Sequence, residues 1–185
     1  PAKLTILCYH EVDDREVALI PGYSVKPGQF EQQLAWLRES GYHFVSMDDV
    51  LADAAGLRPL PVKALLLSFD DGYRSFYTHA FPILKAHHAP AVVALVGSWI
   101  DTASDTVDFD GRRVPRADLM SWDEIRELSR SGLVEFASHS YGMPMIPGSS
   151  VKGAVRAHAT AIGVPVEYLA ALFGEDETTA AAAKR

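Results

Sequence analysis

The sequence predicts an α/β fold built on a parallel sheet, and three observations carry that prediction. Apolar runs too short for helices recur along the chain, stretches with helical spacing of apolar residues separate them, and polar residues stand where the runs stop. Strand and helix alternate throughout, so the sheet is expected to be parallel and barrel-like.

Leu4 to Tyr9 is the first such run, ending at His10-Glu11. Asp13 to Ser24 reads as a loop. From Pro27, the spacing of Phe30, Leu34 and Leu37 gives an amphipathic helix with proline at its start and Gly41 beyond its end. His43 to Ser46 is a short strand, and Asp48 to Ala54 a short helix capped by the Asp48-Asp49 pair. The central run, Leu65-Leu66-Leu67-Ser68-Phe69, has no polar alternation and reads as a strand buried on both faces. It stops on Asp70-Asp71-Gly72, where the glycine allows a sharp turn away from the sheet. Tyr73 to His88 follows as a helix kinked at Pro82, then Ala91 to Gly97 as another buried strand. Residues 107 to 114 resemble a small hairpin around Asp110-Gly111. Ser121, with Glu124 three residues on, opens a helix with a capping box, and Gly132 ends it. Leu133 to Ala137 then delivers Ser138-His139-Ser140 to a strand's carboxyl end.

The chain has 185 residues, 48% hydrophobic and 22% charged, enough for one substantial core. A net charge of -7 excludes nucleic-acid binding through a general basic surface, though not a local site. Cys8 is the single cysteine, so no intrachain disulfide forms, and its place in an apolar strand reads as a small buried hydrophobe. No apolar run approaches the roughly 20 residues of a membrane span. The start at Pro1 reads as trimming.

Asp70 and Asp71 have two readings from the residues alone. They are a turn that leaves the sheet, or a carboxylate pair pointing to opposite sides of a strand, one binding a metal while the other moves a proton. His139, with His10 as a third candidate, adds imidazoles at other strand ends. A carboxylate and one or two imidazoles with an open position suit Zn or a similar divalent ion, which favours hydrolysis of an amide or ester.

Leu67-Ser68-Phe69-Asp70-Asp71-Gly72-Tyr73 and Ser138-His139-Ser140 resemble the NodB-homology polysaccharide deacetylases. So do Cys8-Tyr9-His10-Glu11, the stretch from Trp36 to Ser46, and Ala94-Leu95-Val96-Gly97-Ser98-Trp99. The likeness covers about residues 1 to 141 and is greatest to the branch acting on poly-β-1,6-N-acetylglucosamine of the biofilm matrix. It implies an incomplete NodB-type (β/α) barrel that works in the periplasm or outside the cell. Asp70 is then the general base, Asp71 and His139 ligands of a divalent metal (Zn, or Co or Ni), and His10, Tyr73 and Ser140 line the site. The substrate is a polymer of N-acetylglucosamine. Family members carry a second metal histidine four or five residues after the first; here those positions are Met143 and Pro144, neither of which can replace it.

From Gly142 the later family motifs are not recognisable. Residues 142 to 174 resemble instead the glycine-rich motif of RAMP subunits of type III CRISPR complexes, which implies a short helical tail whose Lys152 and Arg156 contact RNA phosphates. Val151 to Ala159 and Val164 to Phe173 read as helices, and residues 175 to 185 as a frayed or disordered end. The expected organisation is thus a truncated deacetylase domain (1–141), a RAMP-like segment (142–174) and a tail (175–185). Two functions follow. One is metal-dependent N-deacetylation of N-acetylglucosamine polymers; the other is an inactive binding protein, an interactor or inhibitor of a type III CRISPR ribonucleoprotein. Missing strands would leave an exposed sheet edge that invites self-association.

Overall fold

In the computed structural model, residues 4–109 and 111–141 are described. In chain order these are β1 (Thr5–Tyr9), β2 (Glu11–Val12), β3 (Ser24–Val25), α1 (Pro27–Glu39), β4 (His43–Phe44), α2 (Met47–Ala54) and β5 (Ala64–Asp71). There follow a π-helical turn (Phe76–Ala80), α3 (Phe81–Ala86), β6 (Ala91–Val96), α4 (Gly97–Asp101), β7 (Thr106–Phe109), β8 (Arg112–Pro115), α5 (Trp122–Arg130) and β9 (Val134–Ser140). The expected segment from 142 onward, Lys152 and Arg156 included, lies outside the described residues.

Strands β1, β5, β6 and β9 hydrogen-bond in that order, all parallel, and β4 pairs in parallel with the start of β5. The α/β class with a parallel sheet is therefore as the sequence predicts. Among the described residues the sheet is open, and its closure into a barrel is not a feature of them. The central strands are buried on both faces because helices cover both. Leu65, Leu67 and Phe69 point into a core shared with Phe30, Leu34 and Leu37 of α1 and with Phe76 and Leu84. Ala64 and Leu66 point the other way, against Val45, Met47, Val50 and Leu51. Period-two alternation thus divides one Leu-rich run between two cores.

Three local readings are corrected. Helix α2 is capped by Ser46, whose side chain accepts from the Asp49 N–H while Asp49 answers the Ser46 N–H; the Asp48-Asp49 pair is not itself the cap. The stretch read as one helix kinked at Pro82 starts after Tyr73 and contains a π-turn, in which the Phe81 N–H reaches back to the Phe76 carbonyl. That widening is where the ladder absorbs a proline with no N–H to give. The loop read from Asp13 to Ser24 ends one residue early, since Ser24 opens β3, which pairs in parallel with β2 just before the loop. Glu11 is fully buried there, accepting from the Leu19 N–H and lying 3.4 Å from Arg15, which also joins Asp13 and Asp118. This network fixes the segment that runs past the carboxyl ends of the strands.

Candidate active site

Asp70 and Asp71 close β5, His10 follows β1, and His139 lies near the end of β9, so all four occupy the carboxyl edge of the sheet. Their convergence depends on two interruptions of regular strand geometry. Asp71 has φ +72°, and the Gly72 N–H donates to the Asp70 carbonyl at 3.0 Å, which makes a γ-turn centred on Asp71. The expectation that the two carboxylates face opposite sides of the strand fails for this reason. Alternation holds only while the backbone stays extended. On β9, Leu95 is registered with Ser138 but Val96 with Ser140, so His139 is the extra residue of a bulge.

The result is that one imidazole nitrogen meets both acids. His139 Nε2 lies 3.7 Å from Asp71 Oδ1 and 3.8 Å from Asp70 Oδ2. Asp71 is almost wholly buried, and the side chains of Asp70 and His139 are about nine-tenths buried. Asp70 Oδ1, Asp71 Oδ2, His139 Nδ1, the Tyr73 hydroxyl and Ser140 Oγ are all buried without a hydrogen-bond partner among the described residues. Buried polar groups are ordinarily paired, so this concentration marks a place built for something that binds there.

A divalent ion fits this donor set. Two ligands about 2.0–2.2 Å from one ion and a tetrahedral angle apart are separated by roughly 3.3–3.6 Å. The His139–Asp71 distance is within a few tenths of that range. Electrostatics agree, because burial and then the charge of Asp70 push the Asp71 carboxyl up to about 7. A cation there would stabilise the ionised form that the bare site disfavours.

The neighbours show the same polarity. Burial lowers the His10 imidazole, an effect that Asp70 opposes and His139 reinforces, so His10 favours its neutral, ligand-competent form. Tyr73 is fully buried, and its hydroxyl is pushed above the ordinary phenol range by that burial and by Asp71 and Glu11. Cys8 corrects the sequence reading: it is exposed as a residue, and its thiol donates to Asp70 Oδ2 at 3.4 Å. Exclusion of solvent around the sulfur and the charge of Asp70 push that thiol up to about 12. Position was the available signal, since residues 8 and 10 share one side of β1.

Gly72 and Gly97 clear the space. At Gly72, φ is +82° and a Cβ would stand 2.8 Å from Leu95 Cδ2. At Gly97 a Cβ would stand 2.9 Å from the Tyr141 ring, which lies over it while the Ser98 N–H holds the Tyr141 carbonyl at 2.8 Å. Gly72→Ala is expected to cost about 2–4 kcal/mol, from left-handed backbone strain plus the displaced Leu95, measured by urea denaturation. An unchanged midpoint would contradict the turn described above.

Comparison with known proteins places this geometry. The sequence profile described as Polysaccharide deacetylase matches residues 58–181. The chain belongs to the polysaccharide deacetylase family. The poly-beta-1,6-N-acetyl-D-glucosamine N-deacetylase of Escherichia coli K12 is 47% identical over 136 residues, 73% of this chain and 20% of that protein. The chain thus spans about a fifth of that relative's length. Among solved structures, the de-N-acetylase from Aggregatibacter actinomycetemcomitans matches with a TM-score of 0.69 at 36% identity, over 80% of this chain and 60% of that one. The BpsB deacetylase domain from Bordetella bronchiseptica matches with a TM-score of 0.64 at 29% identity, over 95% and 78%. The deacetylase profile runs across the boundary expected at residue 141 and takes in the whole of the segment read as RAMP-like. A composite with a type III CRISPR component, touching RNA through Lys152 and Arg156, therefore gains no support. Among the described residues no helix is long and apolar enough to cross a membrane.

Proposed function

We propose that this polysaccharide deacetylase hydrolyses the acetamide of N-acetylglucosamine units in a β-1,6-linked polymer, and that the reaction depends on a divalent metal. The observation that carries the reading is the meeting of His139 Nε2 with Asp70 and Asp71 in one buried, unsatisfied pocket. Asp71 and His139 are the residues that would hold the ion, with zinc, cobalt or nickel suited to a nitrogen and oxygen set. When bound, the metal would polarise the acetamide carbonyl and acidify water.

The remaining steps fall to the chain's own groups. Asp70 accepts the proton of the attacking water through Oδ1, which has no competing donor among the described residues. Water adds to the acetyl carbon, the C–N bond breaks, and the proton held on Asp70 passes to the departing amine. Acetate and the free amine leave, so atoms balance. His10, Tyr73 and Ser140 line the space around the reacting group. A matrix polysaccharide as substrate places this work in the periplasm or outside the cell.

The test is release of acetate from N-acetylglucosamine oligomers of β-1,6 linkage, with a chitooligosaccharide as comparison, by the full chain with and without added divalent metal. Acetate is expected only with metal, and Asp71→Ala is expected to abolish turnover and to remove the share of metal uptake, read by calorimetry, that Asp71 and His139 hold. Absence of metal uptake by the unaltered chain would overturn the reading. Oligosaccharide binding without product would recast the chain as a glycan-binding relative, a role consistent with Met143 and Pro144 where the family carries its second histidine.

A further inference from the structure

We propose that Cys8, His10 and Asp70 form a second, thiolate-containing cation site beside the Asp71–His139 pair, suited to a thiophilic divalent ion such as zinc, cadmium or cobalt. One ligand atom from each of the three residues lies within 4.8 Å of the other two. The grouping follows from register. Cys8 and His10 are alternate residues at the end of β1 and share one side of it, while Tyr9 between them turns inward to stack on Phe69. Cys8 pairs with Ser68 on the adjacent β5, two residues short of Asp70.

The distances suit a single ion. With Zn–S about 2.3 Å and Zn–O about 2.0–2.2 Å at a tetrahedral angle, sulfur and oxygen stand roughly 3.5–3.7 Å apart. Cys8 Sγ and Asp70 Oδ2 are 3.4 Å apart. An independent observation also points to a ligand here. Asp70, a member of the cluster whose side chain is about nine-tenths buried, has one oxygen, Oδ1, without a hydrogen-bond partner among the described residues. Sulfur supplies selectivity, because thiolates favour zinc-like ions over magnesium or calcium. A second trio, Asp13, Asp14 and His79, has similar spacing, but Arg15 already engages Asp13, which removes the need for an ion there.

Occupation of this site has a consequence that rests on the function proposed above. It engages the Asp70 carboxylate that the hydrolysis needs as base, so excess zinc would inhibit the enzyme that a first ion activates. The site's existence does not depend on that reading.

Cobalt titration tests it directly, using the full chain, metal-free and reduced. Cys8 is the single cysteine, so a thiolate-to-cobalt charge-transfer band in the near ultraviolet has one source. The band is expected in the unaltered protein and in Asp71→Ala, and absent in Cys8→Ser. His10→Ala should weaken cobalt binding by more than the roughly 10–100-fold lost when an outer partner of a ligand is removed. Circular dichroism checks that each variant folds, and Cys8→Ala serves as a second replacement. Cobalt bound without a sulfur band would overturn this site and leave the Asp71–His139 reading intact. A band that disappears in Asp71→Ala would show one shared ion and overturn a separate site.

Discussion

Asp70→Asn is expected to lower the turnover number for acetate release by about 10²–10⁴-fold, the contribution of a positioned general base. The exchange preserves size and planarity, so neither the γ-turn at Asp71 nor the approach of His139 is disturbed by bulk. What is lost is proton acceptance, since a neutral amide cannot take a proton from water near neutral pH. Metal uptake at Asp71 and His139 should persist in this variant, which separates a chemical defect from a binding one. The split between kcat and KM makes the measurement diagnostic. An interaction realised only in the transition state leaves KM nearly unchanged, whereas loss of uniform substrate binding raises KM alone. A decrease of less than tenfold with metal still bound would remove Asp70 from the base role and turn attention to His10, a half-buried group beside it.

The sheet was legible because burial on both faces writes itself as unbroken apolar sequence. Leu65 to Phe69 and Ala91 to Val96 needed no further signal, and the Ser121–Glu124 capping box and the residue 107–114 hairpin were equally local. The site was half legible. Asp70, Asp71 and His139 stood out as polar residues at strand ends, but strand alternation placed the two acids on opposite sides. The γ-turn that brings them together is held by Gly72 beneath Leu95, and the bulge at His139 is defined by β6. Both depend on neighbours far along the chain, so neither has a local sequence signature. Cys8 was misread for a related reason. An apolar run says that a strand is partly buried but not which of its residues lies at the polar end of a neighbouring strand. Glu11 was likewise passed over, because a carboxylate after a strand reads as solvated until Leu19 and Arg15 close around it.

The second large effect concerns stability rather than turnover. Metal-free protein is expected to lose stability as pH rises from about 4 to about 7, by at most about 4 kcal/mol, and Asp71→Asn is expected to flatten that fall. In the folded protein Asp71 keeps its proton up to about 7, because burial and the charge of Asp70 both oppose ionisation. In the unfolded chain an aspartate releases its proton near 3.9. Between those values the native state binds more protons than the unfolded state, so the unfolding free energy decreases with pH. This contribution is fully present below the unfolded value and is gone once pH has passed the folded one. Asp13 and Glu124 act in the opposite sense. Arg15 holds Asp13 below its ordinary range, and the Ser121 cap and Arg74 do the same for Glu124, outweighing partial burial in each case, so their stabilisation is lost only as pH falls into the acid range. Comparing the unaltered chain with Asp71→Asn cancels those background slopes. Urea denaturation in the presence of a chelator, at about pH 5 and about pH 7.5, reads the difference. Parallel behaviour of the two proteins would mean that Asp71 is not the titrating group. Saturating divalent metal should then raise stability most at the higher pH, because binding to the native state alone stabilises it and the ion favours the ionised carboxylate that the bare pocket resists.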